Sequence, residues 1–73
     1  MADFQAMIKQ AKTELERETK SLADWESFES VTVTDDKGKS FDVRAEMTTR
    51  CKVNIQKYRQ IVAALERRAE KSN

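Results

Sequence analysis

The loop at residues 35–39, Asp-Asp-Lys-Gly-Lys, contains the residue types that bind phosphate or calcium, and it holds the chain's one glycine. A phosphate cradle needs several glycines, or a glycine-rich turn leading directly into a helix, so that backbone amides converge on the anion. A calcium loop needs oxygen ligands over about twelve residues, ending in a bidentate glutamate. The stretch DDKGKSFD has neither pattern. The sequence therefore predicts a hairpin turn, whose charged tip can still contact a partner through Lys37 and Lys39.

Catalysis by the common nucleophile arrangements is excluded because the chain has no histidine to serve as a base near neutral pH. With one cysteine and no histidine, the usual zinc-ligand sets are also missing. Paired carboxylates need a pocket that shifts their pKa values, and a chain of 73 residues has little room for one. Cys51 lies in an apolar stripe, which favours a buried side chain over a reactive thiol. We expect no enzymatic activity, no metal and no cofactor.

A basic row on the second half of the chain is a candidate contact surface. If this segment is helical, at about 100° per residue, the row lies roughly 100° from the centre of the apolar stripe. Its members are Arg50, Lys57, Ile61, Ala64 and Arg68. One interpretation is a surface for an acidic protein partner. The other is that Ile61 only widens the core while the basic side chains form a solvated face.

Trp25 and Glu18 are ambiguous members of the first apolar stripe. A tryptophan at the end of such a stripe either covers a small core or anchors a partner, and Phe28 follows it closely. Glu18 occupies a position that should be apolar. Because burying an unpaired carboxylate is costly, it must reach solvent, pair with Tyr58 or a basic residue, or mark where a second protein docks.

These residues belong to three predicted elements. The first is a helix over about 3–26, with Asp3 as its N-cap and apolar residues at alternating spacings of four and three. The stripe consists of Phe4, Ile8, Ala11, Leu15, Leu22 and Trp25. A hairpin follows over about 30–45, because two runs alternate with a period of two, and Gly38 supplies the left-handed residue of a type I turn with a bulge.

A second helix is expected over about 49–69, capped by Thr48 or Thr49, with a frayed tail at 70–73. Its stripe consists of Cys51, Ile55, Tyr58, Val62, Leu65 and Ala69. The predicted fold class is therefore α+β: a single helix–β-hairpin–helix domain (α-β-β-α) over 1–73. We expect the two helices to pack together, with Leu15, Tyr58 and Val62 in the core and the two-stranded antiparallel sheet closing one side.

Charge is distributed unevenly along the chain. Residues 1–36 carry four basic and nine acidic side chains, whereas residues 37–73 carry ten basic and four acidic ones, although the net charge is only +1. This asymmetry indicates two halves that attract each other or two faces of opposite sign. It is a weaker indication of nucleic-acid binding than a uniformly basic domain would be.

The order of motifs resembles a known family. A helix leads into V-x-V at 31–33, then a charged turn with Gly38-Lys39, then F-x-V-x-A at 41–45, and finally a helix with Ile55-x-x-Tyr58 and Leu65-Glu66. Over roughly residues 3–69 this pattern is similar to the head-to-tail joining protein W family of lambda-like tailed phages. The resemblance implies a virion structural protein, present as a ring of copies below the portal, that seals the DNA-filled head through protein contacts.

Three functions follow as expectations. The first is assembly at the head–tail joint, with the phage portal or connector as partner and with oligomerisation. The alternative is a small inhibitor or regulator encoded by a phage or mobile element, such as an anti-CRISPR protein, that binds one host complex. The least favoured is a nucleic-acid-binding module. No apolar run approaches the length of a membrane span and no secretory leader is evident, so we expect the protein in the host cytoplasm or the virion.

Overall fold

A computed structural model describes residues 3–71 and has the predicted order of elements. Helix α1 covers Phe4–Glu26, strand β1 Thr32–Thr34, strand β2 Ser40–Asp42 and helix α2 Arg44–Lys71. The helices pack together as an antiparallel pair, and the strands form a two-stranded antiparallel sheet. The α-β-β-α fold class is confirmed.

A local signal in the sequence accounts for the start of α1. The Asp3 carboxylate accepts a hydrogen bond from the Ala6 amide at 3.0 Å, which is the predicted N-cap. At the other end, the Ser27 amide donates to the Ala23 carbonyl at 3.1 Å. Arg44 also reaches back from the start of α2, because its guanidinium Nη2 donates to the Glu26 carbonyl at 3.1 Å. This bond joins the C-terminus of α1 to the N-terminus of α2.

The hairpin turn is the predicted type I turn with a bulge. The Gly38 amide donates to the Asp35 carbonyl at 3.0 Å, and Gly38 has a φ of 81°. The Asp35 carboxylate also accepts hydrogen bonds from the amides of Lys37 and Lys39, at 3.0 and 2.9 Å. The side chain at position 35 therefore organises the loop from within, because its carboxylate oxygen Oδ1 accepts both of these hydrogen bonds inside the turn.

The predicted start of α2 is wrong: the helix begins at Arg44, not after Thr48 or Thr49. Asp42 is the reason, because its carboxylate accepts a hydrogen bond from the Arg44 amide at 3.0 Å and one from the Val31 amide at 3.3 Å. One side chain thus ends the hairpin and starts the helix. Ala45, which we expected in the strand, is helical, and Thr48 is buried inside the first turns.

The predicted fraying at 70–73 can be assessed only in part. Glu70 and Lys71 are helical, and α2 ends at Lys71. Ser72 and Asn73 lie outside the described residues.

The hairpin does not close one side of the helix pair, in contrast to the sequence prediction. Every residue of both strands is exposed. The longest dimension is 57 Å, whereas a helix of 28 residues is only about 42 Å long. The hairpin therefore projects beyond the end of the helices, since its two three-residue strands offer too little apolar surface to fold back onto them.

The helix pair has an open core. Among the described residues, five apolar ones are buried: Ile8, Ala11, Cys51, Ile55 and Val62. No side chain in the described range 3–71 is fully buried. The radius of gyration, 17.0 Å, exceeds the roughly 11 Å of a compact chain of 73 residues. The smallest dimension is 14 Å, so a second layer is missing from both faces of the pair.

Candidate partner-binding surface

A polar contact between the two helices marks one long side of the pair. The Asn54 side-chain amide donates to a Glu18 carboxylate oxygen at 3.4 Å, and both residues are half-buried. Glu18 therefore has a partner on α2, although it is Asn54 and not Tyr58 or a basic residue as predicted. The same carboxylate acts on the Cys51 thiol, whose pKa it raises.

Cys51 is buried and is not disulfide-bonded. Burial raises the pKa of the Cys51 thiol, and the negative charge and hydrogen bond of Glu18 raise this pKa further, against a smaller opposing effect of Arg50. A thiol that is protonated at neutral pH is a poor nucleophile. The arrangement agrees with a structural role for Cys51, as the sequence predicted.

The residues that share this side can be traced from the Glu18–Asn54 contact by steps of three and four along each helix. We call this side the open flank. Its α1 members are Met7, Glu14, Glu18 and Trp25, and its α2 members are Arg50, Asn54, Lys57 and Ile61. Met7 is 44% exposed and Ile61 37% exposed. Trp25 is only half-buried, so it is neither a sealed part of the core nor fully exposed.

The two edges of the open flank carry opposite charge. Glu14 and Glu18 lie on the α1 edge, whereas Arg50 and Lys57 lie on the α2 edge. Glu14 pairs with Arg17 at 3.3 Å, and Arg50 pairs with Glu46 at 3.4 Å. Such exposed pairs within one helix contribute only about 0.3–0.5 kcal/mol, so these side chains are readily available to another molecule.

The predicted basic row is thus part of a larger surface. Arg50, Lys57 and Ile61 are exposed along one side of α2, and Arg68 is exposed one turn from its end. The Lys57 ammonium lies 5.4 Å from the centre of the Tyr58 ring. Ile61 is partly covered at 37% exposed, whereas Val62 beside it is 8% exposed. Leu15 and Tyr58 are half-buried.

The hairpin forms a second exposed surface, separate from the row. Val33 and Phe41 are direct cross-strand partners on one face and are 50% and 45% exposed. The Lys39 ammonium lies 5.3 Å from the centre of the Phe41 ring. Lys37 is exposed at the tip. The predicted contact residues of the hairpin and of α2 are therefore not brought together.

A shallow depression of about 410 Å³ lies where α1 ends. Trp25 and Phe28 line it together with Ser21, Asp24 and Ser27. Phe28 is 53% exposed. The aromatic pair singled out in the sequence therefore forms an accessible surface, although this depression contains no basic or nucleophilic group beyond its serine hydroxyls.

Two features were missed at the level of the sequence. Val53 is 61% exposed on the outer side of α2, in a shallow depression of about 560 Å³ that Thr49, Gln56 and Gln60 also line. Lys52 and Lys57 line this depression as well, and the position of Val53 opposite the apolar stripe was the available signal. The second missed feature is Arg44, because its role in joining the helices depends on a tertiary contact that no local pattern indicates.

Comparison with known proteins returned no match: no protein-family model matches the chain, and no curated protein or solved structure matches it either. Neither described helix is long and apolar enough to cross a membrane. Within residues 3–71, no group of three or more histidine, cysteine or acidic side chains is arranged to hold a metal ion.

Proposed function

We propose that this chain is a non-enzymatic assembly protein that acts through protein–protein contacts at the head–tail joint of a tailed phage. The observation that carries the contact role is the projecting hairpin, whose Val33–Phe41 pair stays exposed on one face. A two-stranded hairpin is marginally stable by itself in water, and apolar side chains on its face gain stability when a partner covers them.

The placement at the head–tail joint comes from the sequence resemblance of residues 3–69 to the joining protein W family. The contact geometry is compatible with that role, because a hairpin that projects from a helix pair can insert between or against neighbouring subunits. Its tip presents side chains of both charges, Lys37 and Lys39 beside Asp35 and Asp36, for polar contacts with the portal or connector. The protein would then act in the host cytoplasm and remain in the finished virion.

An in vitro joining assay tests this function. DNA-filled heads that lack the chain are mixed with tails and the purified protein, and infectious particles are counted. We expect the wild-type chain to restore infectivity and Phe41→Thr to reduce it about tenfold or more, because this substitution keeps strand propensity but removes the aromatic ring. Thr32→Ala, on the opposite face of the hairpin, is the matched control and should act like wild type.

The same preparation distinguishes the alternative role as an inhibitor. Immunoblotting of purified virions should detect the chain at several copies per particle. Three results together would overturn the head–tail proposal: virions that lack the protein, no restoration of infectivity, and capture of a single host complex from a lysate. The inhibitor hypothesis would then replace it.

A further inference from the structure

The open flank has the composition of an uncovered interface. It carries the exposed apolar residues Met7 and Ile61 toward one end, and Trp25, about 27 Å from Met7 along α1, is half-buried toward the other end. The core beneath it contains no fully buried side chain within the described residues. Covering this side would bury one of the two open faces of the helix pair, because both helices contribute to it along their length.

Charge on the open flank identifies what can cover it. The α1 edge is acidic at Glu14 and Glu18, and the α2 edge is basic at Arg50 and Lys57. Glu18 contacts Asn54, so these two residues lie at the same height along the antiparallel pair. One turn further, Glu14 and Lys57 also lie at nearly equal height on opposite edges.

We infer that the open flank binds a second copy of this chain. Two copies can stack flank to flank about a two-fold axis in two ways. If the axis runs parallel to the helices, α1 of each copy lies over α2 of the other, and the acidic edge meets the basic edge twice. If the axis runs across the helices, α1 lies over α1 and acidic edges meet, which is unfavourable.

The first arrangement is a four-helix bundle in which each helix is antiparallel to its two neighbours. Glu14 of one copy faces Lys57 of the other, and the Ile61 side chains enter the new interior. A flank about 34 Å long and 20 Å wide covers roughly 700 Å² per copy, close to the area of a standard stable interface. Both hairpins emerge at the same end, where they stay free for other contacts.

This pairing goes beyond the proposed function and does not depend on it, because its test uses the isolated protein and a different surface. Analytical ultracentrifugation over about 1–300 μM should show a monomer–dimer equilibrium that strengthens as salt is lowered. We expect Ile61→Lys to weaken dimerisation by at least about tenfold, because an ammonium without a partner would enter the interface.

Matched variants separate this model from general effects on folding. Val53→Lys introduces the same charge on the outer side of α2, at a residue that is 61% exposed, and should leave dimerisation unchanged. Glu14→Lys and Lys57→Glu should each weaken the dimer, whereas the double variant should restore it, because each reversed charge again meets its opposite. Far-UV circular dichroism confirms that every variant is helical.

Small-angle scattering tests the orientation. With both hairpins at one end, the longest dimension of the dimer stays close to the 57 Å of the monomer. Hairpins at opposite ends would add about 15 Å, the length by which the chain exceeds its longer helix. A monomeric mass at every concentration, equal effects of Ile61→Lys and Val53→Lys, or the longer dimer would overturn the inference.

Discussion

The most direct test of the packing compares two valines on α2 that differ in burial. Val62 is 8% exposed and faces α1, whereas Val53 is 61% exposed on the outer side of the same helix. Replacing either with alanine removes the same two methyl groups from the same helix. Intrinsic helix propensity therefore changes equally in both variants, by about 0.5 kcal/mol in favour of alanine, and the difference between them reports burial.

The magnitudes follow from the exposed fractions. Burying one methylene-sized group contributes about 0.8 kcal/mol, so Val62→Ala loses about 1.5 kcal/mol of transfer free energy. The cavity left behind adds up to about 1 kcal/mol where neighbours cannot relax. After the propensity gain, we expect Val62→Ala to lower the free energy of unfolding by about 1–2 kcal/mol. For Val53→Ala, the smaller transfer loss of about 0.6 kcal/mol and the propensity gain nearly cancel.

Urea denaturation followed by circular dichroism at 222 nm measures both variants, at a protein concentration low enough to keep the chain monomeric. In thermal melts, Val62→Ala should lower Tm by about 5–15 °C, since about 1 kcal/mol shifts the Tm of a domain this small by 4–8 °C. Val53→Ala should melt within about 3 °C of wild type. Equal destabilisation by the two substitutions would refute the assignment of the inner face of α2.

Three further predictions concern the turn, the start of α2 and the thiol. Gly38→Val should cost the hairpin more than about 1 kcal/mol through backbone strain, because φ at this position is 81° and a β-branched residue resists positive φ. A clash is not the cause, since an added Cβ meets no atom within 4 Å. Amide exchange in the strands should become faster, and unchanged exchange would contradict the turn assignment. Asp42→Ala should destabilise the chain by about 0.5–2 kcal/mol in urea melts through loss of its two hydrogen bonds, whereas Asp36→Ala at the tip should not. The Cys51 thiol, with its raised pKa, should react slowly with a disulfide reagent at pH 8 and faster in Glu18→Gln, which lowers that pKa. Because the pKa of the Cys51 thiol is higher in the folded than in the unfolded state, the free energy of unfolding should decrease as pH rises above the pKa of an ordinary thiol. A melting temperature that stays constant between pH 8 and 10 would contradict this raised pKa.

Much of the local structure could be predicted because its signals lie within a few residues. Asp3 caps α1 through an amide three residues away, and Gly38 adopts a positive φ inside a turn closed by Asp35. The predicted start of α2 was wrong because another short-range hydrogen bond was overlooked. The alternation of apolar and polar residues places Asp42 in a strand. Its carboxylate, however, accepts a hydrogen bond from the Arg44 amide, and the helix begins there.

The candidate surface was predictable only in its composition. The spacing of Arg50, Lys57 and Ile61 placed them on one side of a helix, and the structure finds all three exposed there. Whether Glu18 faced solvent or a partner depended on where Asn54 lies across the pair, 36 residues further along the chain. Helical periodicity fixes angles around one axis, and it carries no information on which residues of two helices reach the same height.

By itself, the sequence determined the identity and order of the elements, the type of the turn and the apolar stripes, because these depend on short-range periodicity and on backbone conformations that few residues adopt. Only the tertiary structure decided that the hairpin projects instead of covering the helices. It also showed that the two stripes bury each other incompletely, which leaves Met7, Trp25 and Ile61 accessible. The physical reason is geometric: two helices share one line of contact, and a second layer of structure is needed to cover their open faces.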